Sequence, residues 1–145
     1  MNINKFFTVE QKQNIIQAIQ EAERQTSGEI RVHLESKCKG DALSRAMAVF
    51  QKLKMHETQL RNGTLIYIAV NDQKFAIYGD EGINEVIPDN FWQDVKEDMH
   101  RLFAKGRFDD GIISGIEQIG EKLKGLFPFQ EDDINELPDD ISLGE

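Results

Sequence analysis

The chain has 145 residues, 39% hydrophobic and 30% charged, enough apolar material for one core and too much for a wholly disordered polymer. Its net charge of −9, without a cluster of Lys and Arg, argues against a phosphate-binding surface for nucleic acid and disfavours anionic membranes. Seven acids fall in residues 128–145 without a Lys or Arg, so the first 127 residues carry only −2 of that charge. A domain over 1–127 with an acidic tail over 128–145 is the organisation this implies. Cys38 is the single cysteine, which excludes an intrachain disulfide and a cysteine zinc cluster. No stretch approaches the ~18 apolar residues of a membrane span, and the start lacks the apolar run of a signal peptide, so a cytoplasmic protein without a membrane anchor is expected.

In chain order, Thr8 followed by Gln11 forms a capping-box pattern. Val9, Ile15, Ile16, Ile19 and Ala22 then recur at helical spacing, predicting a helix over about 8–25. Glu29–Glu35 alternates polar and apolar residues as a half-buried strand with Ile30, Val32 and Leu34 inward and His33 outward. Asp41 caps a second helix, ending near Lys54, with Leu43, Ala46, Met47, Phe50 and Leu53 on its apolar face. Thr64–Val70 is apolar on both faces, as in a central strand covered on each side, and the helical crossover makes it parallel to the first strand. Asn71-Asp72 turns the chain into Lys74–Tyr78, an antiparallel return. Pro88 suits the first turn of a third helix bearing Phe91, Trp92, Val95, Met99, Leu102 and Phe103 and closed at Gly106. A fourth helix starts near Asp109 or Asp110 and buries Ile112, Ile113, Ile116, Ile119, Leu123 and Leu126.

That topology gathers Ser27-Gly28-Glu29, Arg61-Asn62-Gly63 and Gly79-Asp80-Glu81-Gly82 at one edge of the sheet. Asp80 and Glu81 between two glycines can offer a hard cation two carboxylates and nearby carbonyls. Asp109-Asp110 is a second pair, at a helix start where capping alone accounts for one acid. Whether the two pairs meet depends on how far the third helix carries the chain. Glu29 is a weaker ligand candidate, and Arg61 and Asn62 serve either the turn or an anion. His33, His56 and His100 show no zinc-helix spacing and read as surface residues, and Cys38 lacks a neighbouring base for nucleophilic chemistry.

Thr26-Ser-Gly-Glu-Ile-Arg-Val-His33, Arg61-Asn-Gly-Thr-Leu-Ile-Tyr-Ile68, Ile77-Tyr-Gly-Asp-Glu-Gly-Ile83 and Gly106-Arg-Phe-Asp-Asp-Gly-Ile112, in that order, resemble the TPM domain over roughly residues 5–127. The resemblance implies a Rossmann-like α/β/α sandwich, in agreement with the mixed, hairpin-containing sheet and about four helices read from the residues. It also implies Ca²⁺ or Mg²⁺ binding near the sheet-end loops, with Asp80, Glu81, Asp109 and Asp110 as ligands, Glu29 as a further one and Asn62 as a weaker addition. The ion would order those loops for partner binding or stability. Acid phosphatase activity on phosphate monoesters is the alternative it brings, with Arg61 offsetting phosphoryl charge. A third reading is an interaction protein that docks a protein partner through Phe127, Phe129, Ile134 and Leu137 in the acidic tail, or folds that tail back through Leu137 or Ile141. Composition leaves these alternatives, and the oligomeric state, open.

Overall fold

The computed structural model describes residues 5–129 and 141–144. Its elements are α1 (Val9–Glu23), β1 (Glu29–Glu35), α2 (Ala42–Lys52), β2 (Gly63–Ala69), β3 (Lys74–Gly79), α3 (Glu81–Asn84), α4 (Phe91–Phe103), α5 (Phe108–Leu126) and β4 (Ser142–Leu143). The strands form one sheet in the order β3-β2-β1-β4. β1 and β2 run parallel, β3 returns antiparallel to β2, and β4 lies parallel to β1.

The period-2 pattern of the strands sets the layers. Ile30, Val32, Leu34, Ile66, Ile68 and Ile77 project from one face into a core shared with Ile15 and Ile19 of α1, Val95 and Met99 of α4, and Ile112, Ile116, Ile119 and Leu123 of α5. The alternate residues Leu65, Tyr67, Ala69 and Ala76 meet Ala46, Val49 and Phe50 of α2, with Cys38 and Met55. The result is the α/β/α sandwich with a mixed sheet that the sequence predicts.

The caps of α1 and α2 follow the sequence closely, whereas α4 starts at Phe91 rather than with Pro88 in its first turn, and α5 starts at Phe108, with Asp109 and Asp110 inside its first turn and no side-chain cap hydrogen bond at either helix. Thr8 accepts the Gln11 N–H while the Gln11 side chain accepts from the Thr8 N–H, the predicted capping box. Asp41 accepts the Ser44 N–H. Three apolar assignments are corrected: Val9, Leu43 and Met47 are 71%, 46% and 45% exposed. Val9 opens α1 before its buried stripe begins at Ile15, and the fully buried apolar residues of α2 are Ala46, Val49 and Phe50, with Ala42 partly buried beside them. His33 is likewise not a surface residue but 5% exposed, whereas His56 is half-buried and His100 exposed. Two elements go beyond the sequence reading: the one-turn α3, where a loop is expected, and β4.

Candidate functional site

The amino edge of the sheet assembles as the topology predicts. Asp80 donates its N–H to Gly63 O at 2.9 Å, Glu29 to Asn62 O at 3.3 Å, and Gly82 to Arg61 O at 2.9 Å. A Cβ at Gly82 would lie 2.2 Å from Leu60 O and 2.6 Å from Arg61 O, so the loops approach backbone to backbone there. Arg61, at φ 51°, aims its guanidinium at two carboxylates. Nε donates to Asp80 Oδ2 at 2.8 Å, an Nη to Asp80 Oδ1 at 3.0 Å, and the second Nη lies 3.1 Å from Glu81 Oε1. Asp80 Oδ1 also accepts the Glu81 N–H at 2.8 Å, capping α3.

Asp80 is thus 1% exposed, with a two-point arginine fork and a helix cap on one carboxylate. The hydrogen bond to Asp80 pushes the Arg61 guanidinium further above its already high value, so its charge is permanent. A cation there would have to displace Arg61, and the donor set does not fit one. Glu81 is exposed, Asn62 donates internally to Ser27 Oγ at 3.4 Å, and Glu29 is buried at the start of β1.

Asp109 and Asp110 lie at the opposite edge. α4 starts beside Gly79, where Trp92 Nε1 donates to Asn84 Oδ1 at 3.0 Å, and ends beside the start of β3, where the Phe75 and Phe103 rings are 5.0 Å apart. Thirteen helical residues carry the chain about 20 Å. The two acidic pairs therefore belong to separate places. At this carboxyl edge Asp110 pairs with Arg107 at 2.8 Å, both side chains about half exposed. The same edge holds the β2–β3 turn: Asp72 Oδ2 accepts the Cys38 N–H at 2.7 Å, and Lys74 Nζ donates to Cys38 O at 3.1 Å and Gly40 O at 2.8 Å. A cavity of about 250 Å³, lined by Val70, Gln73, Phe75, His100, Phe103 and Phe108, opens next to the start of α5. Among the described residues, no three side chains of His, Cys, Asp or Glu converge on one point.

A polar cluster missing from the sequence reading lies under the far end of β1. Glu35 is 3% exposed and accepts from Tyr67 Oη at 2.5 Å and Arg45 Nε at 3.0 Å, with a second, shorter contact from Arg45 Nη. His33 Nε2 lies 3.2 Å from Glu35 Oε1, and His33 Nδ1 is 2.9 Å from Ser142 Oγ. Burial opposes ionisation of Glu35, but the hydrogen bonds from Arg45, Tyr67 and His33 outweigh it and bring its pKa to about 2. Burial, then the bond to this carboxylate, pushes the Tyr67 hydroxyl up. Burial also lowers His33, with the Arg45 and Arg31 charges acting in the same sense against the pull of Glu35. The signal in the sequence is Tyr67 itself: a hydroxyl in the middle of a strand buried on both faces demands a polar partner, and β1 supplies it from Glu35, two residues beyond His33, the residue paired with Tyr67.

The fold and its edges define a mixed-sheet α/β/α domain whose ionic groups gather at the strand ends. The TPM domain model matches residues 2–122, and the chain belongs to that family. It is similar to the BA42 protein of the psychrophilic bacterium Bizionia argentinensis, at 49% identity and a TM-score of 0.92 over 99% of both chains. The N-terminal domain of a P. gingivalis protein matches at 16% identity and a TM-score of 0.68, covering 83% of this chain and 78% of that one. The N-terminal domain of cg2496 from Corynebacterium glutamicum matches at 14% identity and a TM-score of 0.66, over 82% and 75%. These last two share the fold. No functionally curated protein matches the sequence. Among the described residues, no helix is long and apolar enough to cross a membrane.

Proposed function

We propose that this TPM-domain protein binds a divalent cation, Ca²⁺ or Mg²⁺, at the carboxyl edge of its sheet, through Asp109 and Asp110 with carbonyls of the Gly106–Phe108 turn. The observation supporting this choice of edge is the saturation of the buried Asp80 by the Arg61 fork and the Glu81 N–H, which leaves Glu81 without a second open carboxylate beside it, against the solvent-facing Asp110, whose one arginine contact is half exposed and screened. The carboxyl edge is also where open α/β sheets place their ligands. Hard cations take oxygen donors, and a site with two carboxylates and some carbonyls falls in the weak range, roughly 10⁻⁴–10⁻³ M. The ion orders the turn into α5 and adds stability by mass action.

Thermal melting with and without millimolar Ca²⁺ or Mg²⁺ tests this. The melting temperature should rise for wild type and for Asp80→Asn, and the rise should vanish in Asp109→Asn/Asp110→Asn. A rise that survives the double substitution and vanishes in Asp80→Asn overturns the assignment.

Phosphate-ester hydrolysis is a second reading. It is favoured by Arg107 beside Asp110, a permanent positive charge at that edge able to offset a phosphoryl group, in place of the engaged Arg61. When bound, the cation supplies Lewis-acid polarisation of a phosphoryl oxygen. Mg²⁺-dependent cleavage of p-nitrophenyl phosphate that falls in Arg107→Ala supports it; cleavage unchanged in Arg107→Ala and in Asp109→Asn/Asp110→Asn rejects it. Of the residues of the docking reading, Phe127 packs against the main core and Phe129 is exposed, whereas Ile134 and Leu137 lie outside the described residues; Ile141, named for a folded-back tail, packs against the main core.

A further inference from the structure

β1 has β2 on one side and only a two-residue strand on the other. The first part of that second edge is closed by α1, whose Glu23 Oε2 accepts the Ile30 N–H at 2.8 Å. The last part is covered by the chain's own carboxy-terminal segment, with Ser142 opposite His33 and Leu143 opposite Leu34. Gly144 donates its N–H to Leu34 O at 2.7 Å. Each position meets a different surface. Ile141 packs on the main core, Ser142 Oγ meets His33 Nδ1 at 2.9 Å, and Leu143 faces outward, 40% exposed. Gly144 lies so close to the buried cluster that a Cβ would be 2.5 Å from Glu35 Cγ, 2.7 Å from Glu35 Oε1 and 2.9 Å from His33 Nε2.

This is the arrangement of a strand-addition site: main-chain hydrogen bonds along a sheet edge supply affinity, and alternate side-chain positions supply selectivity. The selected pattern is an apolar residue, a hydroxyl residue, any residue, then glycine. The connection is longer than closure within one chain needs. Pro128 bridges to Thr26 and the Phe129 N–H reaches Gln25 O, both at the amino edge. From Thr26 to His33 is about 23 Å along the strand, while the twelve steps from Phe129 to Ile141 can span about 40 Å. We propose that the outer edge of β1 beside His33 and Glu35, covered in the structure by β4, is a peptide-binding site of this pattern, and that it exchanges its own tail for the Ile-Ser-Leu-Gly tail of a second copy of the chain. The tail in cis has an effective concentration near the millimolar range, so it holds the site in dilute solution and exchange is a property of concentrated protein.

The test uses the full chain. Gly144→Val should eject its own tail by the contacts above, and Ser142→Glu should do so by forcing a longer, charged side chain into the place where the small Ser142 hydroxyl meets the buried His33 ring; circular dichroism and melting confirm which variant stays folded. The peptide Asp-Asp-Ile-Ser-Leu-Gly-Glu is then titrated into ¹⁵N-labelled protein. Saturable shifts of the Val32–Glu35 amides are expected in either variant at a concentration roughly tenfold or more below that needed for wild type, because the competing occupant is gone. The same peptide with valine in place of glycine should not bind. For exchange between copies, an equimolar mixture of ¹⁵N-labelled Gly144→Val protein and unlabelled wild type at millimolar concentration should show the same Val32–Glu35 shifts. A folded variant whose Val32–Glu35 amides ignore the peptide, or bind the valine peptide equally well, overturns the site. Shifts with peptide but none with concentrated wild-type chain overturn the second copy as the donor.

Discussion

The two ends of this sheet carry acidic pairs that look alike in the sequence and do opposite things in the fold. At the amino edge Asp80 and Glu81 converge on Arg61, whose guanidinium is consumed by them. At the carboxyl edge Asp109 and Asp110 lie in the first turn of α5, both half-buried, and Asp110 makes only a half-exposed contact to Arg107. A carboxylate is available to a ligand according to how many donors already hold it, and that number is set by neighbours distant in sequence. Arg61 is nineteen residues from Asp80; Arg107 is three from Asp110.

If the amino edge is a structural lock, disturbing it should cost stability and leave cation binding intact. Gly82→Ala drives a Cβ into two backbone carbonyls and should destabilise by about 2–3 kcal/mol in urea unfolding. A loss under 0.5 kcal/mol would show that these loops are not held together as described.

Acid should reveal the fork at the other end of β1. Glu35 has its pKa depressed from its ordinary value of 4.5 to about 2, so the stability it contributes is full above about pH 4.5 and is lost as the pH falls toward 2. His33, depressed by burial, acts in the same direction beginning near its ordinary 6.5. The loss through Glu35 should be on the order of 2 kcal/mol, less than the full shift because Arg45 is 41% exposed and screened. Urea midpoints measured from pH 7 to 2.5 should fall accordingly, and the limb below pH 4.5 should flatten in Glu35→Gln.

Asp80→Ala removes the cap of α3 and should cost about 1–2 kcal/mol. Asp109→Asn touches only a half-buried position in a first helical turn and should change stability by less than about 0.5 kcal/mol without metal. The comparison of the two edges fails if these two effects are reversed.

Much of the architecture was legible because local signals and the global fold agree: the Thr8/Gln11 box, the Asp41 cap, the inward Ile30, Val32 and Leu34 of β1 and the two-faced apolar run of β2 all appear as read, although β1 is buried on its other face as well. The gathering of three loops at the amino edge also follows from strand directions alone. What escaped the sequence depends on long-range partners. Gly-Asp-Glu-Gly reads as a loop, yet the Asp80 side chain caps Glu81 and begins α3. His33 sits at an outward position of β1, yet Glu35, Tyr67 and Ser142 surround it. β4 is two residues in an acidic tail, too short for any periodicity, and its strand identity comes from Leu34 O and the glycine that fits beside Glu35.

The most direct test of the account is an NMR titration of metal-free protein with Ca²⁺ and Mg²⁺, following the backbone amides of both edges. The account predicts saturable shifts confined to Gly106–Gly111 and the adjoining Asn71–Gln73 turn, with Asp80–Ile83 unmoved. Saturable shifts at Asp80–Ile83 with Gly106–Gly111 silent would contradict it.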